Sequence, residues 1–539
     1  QITAIGHDAL KNYNKGSGDG NVVAIGYHAA QAMTTGGGVI IGALAGNALT
    51  TGSGNVVVGQ NALGNEDTGS KNIAIGSNAL ENLNYDGEAY NVAVGHNAGR
   101  QVTTGVQNTI IGGLAGDELT TGIENIAIGH NALGNEDTGN KSIAIGRKTL
   151  FSQNYDGDTH NIAIGIQAGE NVTTGIYNTI IGGQAGMALT TGTRNVAIGL
   201  NALKNEDTGS HNVAIGHEAL KTADAGADAY NVAIGSLAGT SVTTGTNNTL
   251  IGGLAGDALT TGTDNVALGY NALTSAQEDT RNTAIGRGTL ATQNGAGTAY
   301  NTALGYHAGA AVTTGTKNTL IGGLAGDALT TGAENVAVGY AALSLEDGHG
   351  GNVAIGNEAL EFQNAGADAL NVAVGYRAGK QVTTGTQNTI IGGLAGDALT
   401  SGSSNIAIGK SALSAEDEHG HNIAIGANSL ASLNAGTDAY NIAIGSSAGG
   451  SLSTGIANTI IGGLAGDALT TGEKNVAIGH NALTTEDTGS RSVAVGHGAL
   501  RYQNNDNNNY NTAIGFDAGN LITTGLQNVL VGGLAGDAL

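Results

Sequence analysis

The sequence predicts an all-β fold, a parallel β-solenoid or β-roll of about 31 coils. Three observations carry that reading: a marker motif repeated from end to end, a fixed spacing between its copies, and a composition suited to stacking. The motif is Asn-Val-Ala-Ile-Gly or a close variant, in 31 copies with its Gly running from Gly6 to Gly532. From Gly42 onward the steps run 17, 17, 19 and 17 residues without exception, so four units form a 70-residue super-repeat. Of 539 residues 94 are Gly, while Pro, Cys and Trp are absent. Without Pro or a Gly at every third position the chain is not collagen. Without Cys it is not a disulfide scaffold, and its 40% apolar content is too high for a disordered acidic tail.

Each unit opens with a strand. In Asn125-Ile126-Ala127-Ile128-Gly129, β-branched residues alternate with Ala at period two, so Ile126 and Ile128 point one way and Ala127 the other. Both faces are apolar, which predicts that both are covered: one by packing with large side chains, the other by a neighbour that comes close to Ala. On this reading Ile128 is an inside residue and Glu136 an outside one. A second short segment follows, His130-Asn131-Ala132-Leu133, and then a polar turn, Asp137-Thr138-Gly139-Asn140-Lys141, whose Gly, Asn and Asp tolerate positive φ.

A 17-residue unit is too short for a βαβ unit, which needs about 30 residues, but suits one coil of a solenoid. Coils stacked about 4.8 Å apart would build a column on the order of 150 Å long. Asn72, Asn91, Asn108 and Asn125 are expected to form a ladder in which side-chain amides bond one another. The core volume is balanced within the super-repeat. Where the fourth residue after the marker is Gly (Gly99, Gly116), the seventh is apolar (Val102, Leu119); where the fourth is Leu (Leu133, Leu150), the seventh is polar (Glu136, Gln153).

The runs Asn-Val-Ala-Ile-Gly-His-Asn-Ala at 475–482 and Ser-Val-Ala-Val-Gly-His-Gly-Ala at 492–499 resemble the head repeats of trimeric autotransporter adhesins of the YadA type. The resemblance covers essentially the whole chain. It implies a left-handed parallel β-roll in which three identical chains pack about one axis. Similar arrays also resemble those of virus tail fibres and other long secreted proteins. A trimer has a physical rationale of its own, because a thin roll that buries Val and Ile would leave its Ala face wet unless copies cover it. A single-chain β-helix with about 18 residues per coil is the alternative.

The charge balance, 19 basic against 43 acidic residues for a net −24, argues against nucleic-acid partners, since no basic stripe is present to displace phosphate counterions. No run of 18 apolar residues occurs, so no membrane span is expected within residues 1–539, which read as one continuous repeat array and as a segment of a longer chain. Acidic pairs recur at Glu66-Asp67, Glu136-Asp137, Glu206-Asp207, Glu278-Asp279, Glu346-Asp347, Glu416-Asp417 and Glu486-Asp487. They are expected to be solvated turns; a metal site among them would need three chains to bring such pairs onto one level. Thr recurs at Thr104, Thr121 and Thr138, a column read as turn-forming hydroxyls rather than an ice-binding array. The 19-residue coil carries a longer loop ending in Tyr90, Tyr230, Tyr300, Tyr440 and Tyr510, replaced by His160 and Leu370. These rings are the candidate surface contacts, against the simpler reading that each covers its own loop.

No catalytic residue, cofactor or metal is expected. His7, His96, His217 and His349 fall at variable positions, His419 and His421 form a lone turn feature, and Gly-Gly-Leu-Ala-Gly at 112–116 recurs as packing without the Lys of a phosphate loop. The expected function is a structural, adhesive extracellular fibre, the stalk or head of a surface appendage, giving rigid reach and multivalent contact with a host surface, glycan or matrix. Its expected state is a homotrimer, with end-to-end stacking into a filament as a further option. A virus tail fibre for host attachment and an ice- or carbohydrate-binding solenoid are the alternatives.

Overall fold

The computed structural model of the chain describes residues 1–14 and 20–537. These form 31 β-strands, and no helix occurs among the described residues. They fall into two compact units, Gln1–Ala267 and Leu268–Leu539. Each unit is a parallel β-solenoid with one strand per coil, as the marker spacing predicts. The first four strands, Ile2–Ile5, Val22–Ile25, Gly37–Ile41 and Ser53–Val58, are longer than the three-residue strands that follow. Of the final run Gly532–Leu539, residues 538 and 539 lie outside the described residues.

Stacking is in register. In the first unit Ile126, Ala127 and Ile128 face Ile143, Ala144 and Ile145 of the next coil. In the second, Val353, Ala354 and Ile355 face Val372, Ala373 and Val374. Ile126 N donates to Ser142 O at 2.8 Å and Gly129 N to Ile111 O at 2.7 Å, a parallel ladder in both directions. Each strand ends on the marker Gly because the chain turns there at φ near +133° and meets the marker of the next coil. A Cβ at Gly129 would run into the carbonyl oxygen of Gly146, so no other residue fits.

The segment after the marker is not a strand, but it bonds to both neighbouring coils. Asn131 and Leu133 both adopt the left-handed conformation, at φ 56° and 53°. This alternation turns Asn131 N toward Gly113 O of the preceding coil (3.2 Å) and Leu133 N toward Thr149 O of the following one (3.0 Å). Left-handed non-Gly residues are unfavourable singly, and here inter-coil hydrogen bonds hold them in place.

The structure reverses the expected sidedness of the strand. Ala127 lies in the interior and Ile126 and Ile128 are only half-buried, the same pattern as in Val336–Val338 and Ile423–Ile425. The reason is the thinness of the coil: the Leu side chain of the opposite segment, as in Leu133, fills the interior and leaves room on the strand only for Ala. The Ala face is therefore covered by its own chain. Volume balance holds as expected and gains a third position. Ile110, on the inward strand position normally held by Ala, reaches to within 2.8 Å of where a Cβ on Gly99 would stand. Leu250 does the same at Gly239 and Gly256 (2.7 and 2.8 Å). One bulky strand residue per super-repeat thus occupies space released by two glycines.

The Asn ladder is present in a different form. Each buried Asn accepts at Oδ1 from the backbone N–H of the Asn one coil on, as Asn108 Oδ1 does from Asn125 N (2.9 Å). In most copies its amide nitrogen donates across the coil to a turn carbonyl, as from Asn108 Nδ2 to Gly122 O at 2.9 Å, while those of Asn212 and Asn352 have no partner. Direct amide-to-amide bonds supplement this in places, such as Asn248 Nδ2 to Asn231 Oδ1 at 3.2 Å. The ladder ties strand to turn, and its N–H and C=O partners would otherwise be buried unpaired.

Two outcomes follow. Gly129→Ala should lower the melting temperature through a local loss on the order of 2–3 kcal/mol, because it combines strain with backbone overlap. In a second pair, Ala127→Asp should unfold the neighbouring coils by burying an unpaired carboxylate, whereas Ile126→Thr, which copies Thr109 one coil earlier, should change stability by no more than about 1 kcal/mol. Thermal melts followed by circular dichroism read both; equal melts for Ala127→Asp and Ile126→Thr would refute the assignment of inside and outside.

Candidate functional site

The five candidate tyrosines, Tyr90, Tyr230, Tyr300, Tyr440 and Tyr510, all lie on the surface, between 48% and 60% exposed. Each stands at the end of the 19-residue coil in a left-handed turn, just before the buried Asn. Each also packs on a basic or imidazole side chain 19 residues earlier. Lys71 Nζ lies 5.0 Å from the Tyr90 ring centroid, and the Arg281 and Arg491 guanidinium groups lie 5.6 Å from those of Tyr300 and Tyr510. His211 and His421 stack on Tyr230 and Tyr440 at 4.8 and 4.9 Å. The hydroxyls are engaged as well: Tyr90 donates to Glu88 at 2.5 Å and accepts from Lys71 at 2.9 Å. Where the aromatic is missing the partner changes with it. Leu370 lies over Gly351, 2.6 Å from where a Cβ there would be. His160 instead stacks on Tyr177 of the following coil at 5.4 Å. One ring face is thus covered within the chain.

A second exposed column was missed in the sequence. The residue directly after the marker Gly carries Tyr27, Tyr270, Tyr306, Tyr340, Tyr376 and Phe516, each at least half-exposed. His480, His497 and Phe516 stack in succession at 5.5 and 5.2 Å. Counting from the marker would have found this column. Between the two columns lie the outward strand positions. The residue directly before the marker is Ile, Val or Leu in every coil, and the third before it is Val, Ile or Thr. In a chain of net charge −24, those two positions carry no charge at all.

The acidic pairs are not solvated turns. Glu66, Glu136, Glu206, Glu346, Glu416 and Glu486 are fully buried, each in the coil before the 19-residue one. Glu136 Oε1 accepts from Gly139 N at 2.7 Å and Oε2 from Gln153 Nε2 at 2.9 Å, and the oxygen of Gln153 accepts from the ladder residue Asn161 at 2.9 Å. Glu66 Oε2 also takes the backbone N–H of Tyr85, inside the longer loop, at 3.1 Å. The carboxylate therefore pins the insertion that makes that coil 19 residues long. In four of the six copies a Gly three residues later makes room for it; at Gly69 and Gly139 a Cβ would overlap the Glu carboxyl.

The pair Glu278-Asp279 is out of register with the others. Ala276 takes the place of the buried Glu, and Asp279, three residues on, supplies the carboxylate instead. It accepts from Gln293 Nε2 at 3.0 Å and from the loop N–H of Gly295 at 2.8 Å. Within the Thr column Thr138 donates to Asp156 at 2.6 Å, while Thr104 and Thr121 are exposed; next to Thr121, Thr120 Oγ1 donates to Asp137 O at 2.9 Å.

Burial pushes Glu66, Glu136, Glu206, Glu346 and Glu416 above the ordinary glutamate range, since the desolvated carboxylate is costly to charge. A carboxyl whose value is raised on folding adds stability that is complete below its unfolded value and is lost as pH rises through its folded one. The melting temperature should therefore rise as pH falls from 7 to about 5, and changing these five residues together to Gln should flatten that slope.

No family model matches the chain, and no curated protein matches it either.

Proposed function

We propose that the chain forms a structural, adhesive extracellular fibre whose sides, rather than any cleft, meet their target. The observation that carries this reading is the outward strand face. Coil after coil it repeats uncharged Ile, Val, Leu and Thr between two columns rich in Tyr, His, Arg and Lys, in a chain whose acidic turns keep it soluble. A repeated surface of this kind suits attachment by many weak, identical interactions that add up through avidity. One-dimensional stacking, in which each coil touches only its neighbours, suits a chain whose role is reach. The sugar-stacking alternative is weaker, since one face of each candidate ring is already taken by Lys71, His211, Arg281, His421 or Arg491.

The same face supports the homotrimer. Half-buried Ile and Val columns are the apolar surface that copies of the chain would cover, in place of the Ala face, which is internal. Sedimentation of the purified chain should give a particle of three copies. Changing Ile111, Ile128 and Ile145 together to Lys should leave the circular-dichroism spectrum intact while reducing the mass to that of one chain. A wild-type particle of single-chain mass would end the trimer reading, and failure of the fibre to attach to any cell or matrix surface would end the adhesive one.

A further inference from the structure

Two of the buried-glutamate turns differ from the rest in one way. In four copies the residue three after the Glu is Gly (Gly69, Gly139, Gly209, Gly489), and its N–H bonds the carboxylate at 2.6–2.7 Å. In the second unit two copies carry His349 and His419 there instead. The backbone bond lengthens to 3.1 Å in both, and the imidazole turns back onto the carboxylate. His349 Nδ1 lies 3.3 Å from Glu346 Oε1, and His419 Nδ1 lies 3.4 Å from Glu416 Oε1. Asp347 and Asp417 complete each group, with one ligand atom per residue all within 4.8 Å of one another.

A second observation concerns the hydrogen bonding of the buried groups. Glu346 is fully buried, yet its Oε2 has no hydrogen-bond partner. The corresponding oxygen of Glu136 is held by Gln153; here the equivalent Gln363 donates to Thr383 O at 3.0 Å instead. The second turn differs: Glu416 Oε2 takes the loop N–H of Ala435 at 3.5 Å, and the buried atom without a hydrogen-bond partner is Nδ1 of His419. A buried carboxylate short of donors next to an imidazole is the arrangement a cation satisfies. An N···O separation near 3.3 Å is the edge of a tetrahedron whose bonds to the metal are about 2.0–2.1 Å. By contrast, the similar group His7, Asp8 and His28 already has its carboxylate ion-paired to Lys11 at 3.1 Å.

We propose that Glu346-Asp347-His349 and Glu416-Asp417-His419 are two sites, with the same ligand set, for a divalent transition metal of the zinc class. Each binds through one imidazole nitrogen and two carboxylate oxygens, with the fourth position open to water. The imidazole and the three-ligand count favour such an ion over Ca²⁺, which takes six or more oxygens. The sites recur four coils apart, roughly 19 Å by the strand spacing. Each would neutralise a buried charge that the Gly-containing copies stabilise through short backbone N–H bonds and, at Glu136 and Glu486, through side-chain amides as well.

Zn²⁺ alone, titrated calorimetrically into the full chain at pH 7.5, tests this, with a parallel thermal melt. The expected result is two equivalents bound and a higher melting temperature. Substituting His349→Gly and His419→Gly restores the residue the sister turns carry, so folding should survive while both equivalents are lost; Glu346→Gln should remove one. Binding unchanged in the double His variant, no Zn²⁺ binding at all, or uptake of Ca²⁺ in preference to Zn²⁺ would each overturn the proposal.

Discussion

The constraint on which the rest depends is vertical register. When coils stack one strand spacing apart, whatever one coil buries must be compatible with the same position above and below. A buried amide meets this condition in a self-propagating way. Its oxygen takes the N–H of the coil on one side, its nitrogen reaches the turn of its own coil, and the next Asn repeats both bonds. Where Ser142 replaces Asn, it still takes its N–H partner from Asn125, and its hydroxyl bonds Thr159 at 2.6 Å. Ser142 thus keeps the incoming bond of the ladder and turns its hydroxyl to Thr159 in place of the amide's onward bond.

That constraint also explains the position of the charges. The coil is too thin to enclose many large side chains, so it fills with Ala and Leu, and the one place where backbone must be added is held by a buried carboxylate. Such a group is costly unless it is fully bonded. Its neighbours Gly139, Gln153 and Asn161 supply the donors and connect it to the amide ladder. Polar groups in this interior act as spacers and fasteners, and the aliphatic residues that a strand pattern assigns to the core are displaced outward.

Much of the architecture was legible in the sequence. The Asn-Val-Ala-Ile-Gly spacing indicated strand, turn and stacking direction, and the exchange of Leu133 for Leu119 revealed a shared core volume before any coordinates. Sidedness was not legible, because Ile-Ala-Ile is apolar on both faces and nothing in the strand itself tells which is enclosed; only the Leu of the facing segment decides it. Buried glutamates were misread for a similar reason, since Glu-Asp in a Gly-rich turn ordinarily means solvent. The signal lay in their constant relation to the 19-residue coil, and in four copies to the Gly three residues on. Asp279 could have been found by counting from Gly269 instead of matching the pair. The partners of the tyrosines were equally countable, as Lys71, His211, Arg281, His421 and Arg491 each precede a Tyr by one long coil.

The long coil and the acid that secures it sit in adjacent turns of the solenoid, so neither can be copied or lost without the other, and the set of four carries both. Recombination between such modules would change the gene in quanta of 70 codons and leave every fastener matched to its loop. An exchange of a single 17-residue coil would instead strand an anionic side chain opposite a loop too short to receive it. Evolution of this chain's length is thereby digitised by its chemistry.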